Sequence, residues 1–152
     1  MKHLELLKEA EESRLKLYRY SMDKTVRGLC IGNNIVLNKD IDSIKEFNCI
    51  LAEEIGHYKT TVGDITSPGV NNARQELRAR AYAYDKLIGL EGLVEAWDAD
   101  CRSINEAAEY LSVTEDFFKA ALEYYRGKYG VQTTYKDRLV TFIPCLKVED
   151  RS

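Results

Sequence analysis

The stretch Ile50-Leu51-Ala52-Glu53-Glu54-Ile55-Gly56-His57 sets two carboxylates and an imidazole into an otherwise apolar run. Ser43, followed three residues later by Glu46, is a capping-box signature, and helical spacing continues through Phe47, Ile50, Leu51 and Ile55 to about Lys59. Any fold of this chain must cover that helix with apolar partners. It must also give the helix's charges something to bind, because a buried charge without a partner is costly. Residues 53 and 57 are four apart, so their side chains leave one helix face a turn apart. Gly56 weakens the helix slightly and offers close approach to a neighbour.

The rest of the sequence alternates helical and strand patterns. Leu4, Leu7, Leu15 and Tyr18 recur near the helical period and predict one amphipathic first helix, ending before the polar residues 21–24. Residues 26–37 hold two short apolar runs broken by Gly32, Asn33 and Asn34, which predicts a β-hairpin. Residues 60–72 are rich in loop formers, and helical composition resumes over 73–88. Further helices are expected over 90–99, 103–111 and 114–125, the last two capped by Ser103 with Glu106 and by Thr114. Alternation around Lys136 and Asp137 predicts a second hairpin near the end.

No repeat or linker divides the 152 residues, a length that buries roughly two thirds of its unfolded surface as one domain. The reading is a single α+β, mainly helical domain over 1–152. Residues 1–90 supply the first helix, the hairpin and the site-bearing helices, and 91–152 a helical half with the C-terminal hairpin.

Charge and cysteine usage exclude several classes. The net charge is -3 and the charges are mixed, leaving no basic footprint for nucleic acid. Cys30, Cys49, Cys101 and Cys145 form no C-x-x-C pair, so neither a zinc ribbon nor a redox motif is expected; reduced, mostly buried thiols are. The charged N-terminus is unlike a signal peptide, and no apolar run approaches the roughly 20 residues of a membrane span. The expected location is cytoplasmic, without membrane contact.

Glu53-Glu54-x-x-His57 has the spacing of the zincin motif H-E-x-x-H, with Glu in place of the first His. A carboxylate oxygen binds zinc at about the distance of an imidazole nitrogen, although its charge weakens the Lewis acidity felt by water. After LAEEIGHY come Gly63-Asp64-Ile65 and then Arg74-Gln75-Glu76-Leu77-Arg78-Ala79-Arg80-Ala81-Tyr82-Ala83. This combination resembles the ImmA/IrrE family of metallopeptidases, most nearly its phage-encoded branch. Family members follow an H-E-x-x-H helix with a helix of pattern E-x-x-A-x-x-F-A, matched here by Glu76, Ala79, Tyr82 and Ala83.

The resemblance covers most of the chain from about Val26. It implies a zincin-like fold, with His57 and Glu76 as metal ligands, Glu53 as a substituted ligand and Glu54 as the general base. Asp64 becomes a further ligand, an orienter of His57, or simply a turn residue. The resemblance further implies zinc, with another divalent ion as an alternative. The implied activity is an endopeptidase of a prophage or mobile element in a bacterial host, cutting a helix-turn-helix repressor to derepress the element's genes. The alternative is a noncatalytic regulatory protein that binds a repressor or another partner on the same scaffold.

Residues 103–118 have the form of a helix-turn-helix. The second helix begins Glu115-Asp116 and carries Glu123, charges that repel DNA, so this segment reads as a structural or protein-docking element.

Overall fold

The structure, a computed structural model, describes residues 2–61 and 70–151. The chain forms two compact units, Met1–Ala83 and Tyr84–Ser152.

The first unit contains α1 (Lys2–Glu12), β1 (Lys16–Tyr20), β2 (Gly28–Ile31), β3 (Asn34–Asn38), α2 (Ile44–Thr61) and most of α3 (Val70–Leu87), which runs on into the second unit. Its sheet has the order β1-β3-β2, with β1 parallel and β2 antiparallel to β3. The expected hairpin is present, closed between Ile31 and Asn34 with Gly32 at a φ of 61°, where a side chain would be strained. Ile35 and Leu37 of β3 are buried, as are Leu51, Ala52 and Ile55 of α2, so the central strand and the site-bearing helix share one core. Buried Asn38 holds the connection before β2. Its side-chain amide donates to the carbonyls of Met22, Asp23 and Val26, and its Oδ1 accepts from the Asp40 amide. Arg27 binds Glu46 of α2 at 3.0 Å and Asp40 at 2.8 Å, tying the start of β2 to that helix.

The first helix is shorter than its periodicity predicts. It stops at Glu12, Arg14 takes a left-handed φ of 59°, and Lys16–Tyr20 becomes a strand beside β3. Leu15 is buried at the corner, and a side chain there suits either pattern. The strand wins because all five of its residues pair with β3 and because the Arg19 guanidinium donates to the Ile41 carbonyl at 2.7 Å. The helix's inward face is Leu6 and Ala10, while Leu4 stays exposed.

The second unit contains α4 (Gly89–Asp98), α5 (Ile104–Leu111), α6 (Glu115–Tyr129), β4 (Gln132–Tyr135), β5 (Arg138–Thr141) and β6 (Lys147–Asp150). The capping box at Ser103 and Glu106 and the Thr114 cap form as expected. Ser112, left-handed at a φ of 57°, turns the chain between α5 and α6. The anticipated C-terminal hairpin is two thirds of an antiparallel sheet, β4-β5-β6. Tyr125, Phe118, Phe142 and Leu93 fill the core. The Tyr125 hydroxyl donates to Asp85 and accepts from the Gly89 amide, both at 3.0 Å, so this fully buried polar group is satisfied.

Of the four free cysteines, Cys49 is buried, Cys30 and Cys101 are half-buried and Cys145 is exposed, a more open set than expected. Among the described residues no helix is long and apolar enough to cross a membrane. The fold is α+β and mainly helical, as the sequence predicts.

Candidate metal centre

Helix α2 carries Glu53, Glu54 and His57, and α3 carries Glu76. The two helices meet at Gly56 and Ala79. A Cβ on Gly56 would lie 2.6 Å from the Ala79 carbonyl oxygen and 3.1 Å from its Cα, so only glycine admits the crossing. Ala79 and Ala83 are both fully buried. Tyr82 is anchored through its hydroxyl, which donates to the Glu9 carboxylate of α1. Gly56 adjoins His57, and Ala79 stands one turn from Glu76, so this crossing turns the two side chains toward each other. His57 Nε2 lies 3.2 Å from Glu76 Oε1.

That separation bears on metal binding. Two donors held at roughly 2.0–2.1 Å by one tetrahedral ion stand about 3.3 Å apart, so this imidazole and this carboxylate are spaced to share an ion. Among the described residues, however, no group of three His, Cys, Asp or Glu side chains is arranged to hold one. The structure assembles the His57–Glu76 pair and, among the described residues, gathers no third donor of these types around it. Glu53 sits half-buried one turn before His57, and Asp64 lies outside the described residues.

Electrostatically the site has an excess of negative charge. Glu54 is only 8% exposed, and burial, then the charges of Glu53 and Glu76, push its carboxyl up to about 7. Burial also raises Glu53, with Glu76 adding to the rise and Arg80 opposing it. Carboxyls that resist ionisation because they are buried and, secondarily, because they crowd one another are the donors whose charge a divalent cation relieves.

One contributor was not anticipated. Gly28 in β2 lies against α2, where a Cβ would come within 2.8 Å of Ile50 Cγ2 and 2.9 Å of Glu54 Oε2. Its bare backbone makes room for the Glu54 carboxylate, and the readable signal is a glycine inside a strand. Two residues on, burial and the charge of Glu54 push the Cys30 thiol up to about 11, so it stays protonated at neutral pH. Among the described residues β2 is also an edge strand, with no strand partner on one side of its backbone.

No curated protein and no solved structure matches the chain. The sequence profile of the M78 peptidases, described as the IrrE N-terminal-like domain, matches residues 6–123, well over half of the chain. Proteins of this family are in general zinc-dependent metallopeptidases. With the profile spanning both site-bearing helices, the chain belongs to the IrrE N-terminal-like family and is a metallopeptidase-like protein.

Proposed function

We propose that this protein is a zinc-dependent endopeptidase of a prophage or other mobile element, acting on a helix-turn-helix repressor of that element. The observation that carries the peptidase reading is the His57–Glu76 pair at 3.2 Å on the helices that also hold Glu54. The repressor and the mobile-element setting rest on the resemblance to the phage-encoded branch.

In this reading His57 and Glu76 would hold the metal, and Glu53, which is not grouped with them among the described residues, would join them on metal binding. A zinc ion there would supply Lewis acidity, polarising a peptide carbonyl and making water acidic enough to lose a proton near neutral pH. Glu54, with its carboxyl at about 7, is suited to both proton transfers that peptide hydrolysis needs. As carboxylate it takes a proton from the attacking water, and as acid it returns that proton to the leaving amine. The edge of β2, which no described strand covers, gives an extended substrate segment a backbone to pair with, and Gly28 puts that strand beside Glu54.

The test is incubation of the zinc-loaded protein with the element's repressor. Discrete fragments are expected, absent after chelation and regained when zinc is restored. An intact repressor in all three samples would contradict the proposal. It would favour the second reading, a noncatalytic regulatory protein that binds the repressor. That reading draws on Glu53 standing where the motif has His, which adds negative charge and damps Lewis acidity.

A further inference from the structure

In the second unit, α4, α5, α6 and the segment before β6 line a partly open pocket of about 210 Å³. An apolar cavity of about 150 Å³ holds benzene, so this one accommodates a single ring or a short branched chain with a small polar group. Its apolar lining includes Leu93, Trp97, Phe118 and Leu122, and its charged lining residues are Arg102 and Arg126. No carboxylate lines it, although the chain carries more acidic than basic residues.

Both guanidiniums are held in place. Arg102 stacks over the Trp97 ring at 3.6 Å and donates through Nη1 to the carbonyls of Trp97 at 2.8 Å and Cys101 at 3.1 Å. Its ion-pair partner within 4 Å is Asp100, 3.7 Å away and almost fully exposed, a weak competitor, with Asp98 and Glu106 acting on it at longer range. Arg126 donates through Nε to the Phe142 carbonyl at 3.2 Å and through Nη1 to Glu123. A guanidinium has five N–H donors, so each arginine keeps donors beyond those bonds. Fixed, partly desolvated guanidiniums at the edge of an apolar cavity recognise a carboxylate at little ordering cost.

We propose that this pocket binds a small amphipathic monocarboxylate, aromatic or branched aliphatic, with its apolar part on Trp97 and Phe118 and its carboxylate on Arg102 and Arg126. The pocket shares no residue with the candidate metal centre, whose residues all lie in the first unit. Arg126, Cys145 and Leu146 of its lining fall beyond the span matched by the family profile.

Trp97 is the single tryptophan of the chain, so its emission reports on this pocket. The experiment titrates the full-length protein with phenylacetate and with its neutral isostere phenylacetamide, followed by Trp97 emission and by calorimetry. Phenylacetate is expected to saturate with a Kd of about 1 mM or tighter, and phenylacetamide to bind about tenfold more weakly or not at all. Arg102→Gln and Arg126→Gln, each checked for native circular dichroism, are expected to weaken phenylacetate several-fold and leave phenylacetamide unchanged. Equal binding of acid and amide, or no saturation by about 10 mM phenylacetate, overturns the proposal. The acid–amide comparison in the unmodified protein decides the matter even if a variant fails to fold.

Discussion

Replacing Glu54 by glutamine is expected to lower the rate of repressor cleavage by about 10²–10⁴-fold, the usual contribution of a general base, while zinc stays bound. Glutamine keeps the shape of the side chain against Gly28 but cannot accept the proton from water. The same substitution should raise the stability of the metal-free protein at neutral pH. Glu54 has a folded-state pKa of about 7 against an ordinary 4.5. Between those values the folded state binds more protons than the unfolded one, so stability falls as pH rises through that window and the penalty is complete above about 7. Glu54→Gln removes the penalty. Denaturant unfolding in chelator should find the variant more stable than wild type at pH 8 and close to it at pH 4. Lower stability at pH 8 together with unchanged cleavage would remove Glu54 from its assigned place.

The second large effect is expected at Gly56. On an open helix, Gly→Ala stabilises by about 1 kcal/mol. Here the added methyl would meet the Ala79 carbonyl at 2.6 Å, a backbone group with no rotamer to change, so α3 has to move. Overpacking of that kind costs about 1–3 kcal/mol. The movement separates His57 from Glu76, and zinc affinity should fall by about 10–100-fold, as it does when groups that orient ligands are disturbed. Urea unfolding and a competitive zinc titration measure the two effects. A more stable variant with unaltered zinc affinity would show that the crossing does not set the pair.

Much of the site could be read from sequence because its elements are local. The Ser43–Glu46 cap, the apolar run to Ile55 and the four-residue spacing of Glu53 and His57 are all properties of one helix, and α2 forms as they predict. Gly56 likewise read as a place of close approach, and Ala79 is what approaches it. Features that depend on distant pairing were harder to see. Lys16–Tyr20 becomes a strand through its parallel register with β3, which no local pattern encodes, and Leu15 fits the helical period by coincidence. β6 is built from Lys147-Val148-Glu149-Asp150, with one buried residue, and its identity comes from pairing with β5. Gly28 lies within the expected hairpin, and its place against the Glu54 carboxylate comes from the packing of β2 on α2, which no local pattern encodes. The partnership of His57 with Glu76, nineteen residues on, was legible only through the motif, since periodicity says nothing about which helices cross.

Zinc content per chain is the most direct measure of the central claim. It is determined by elemental analysis on protein purified without chelator or immobilised metal, for wild type, His57→Ala and Glu76→Ala, each checked for native circular dichroism. About one zinc per wild-type chain, lost in both folded variants, is the predicted result. A wild-type chain that takes up no zinc even when it is supplied, or folded variants that both retain it, would contradict the account.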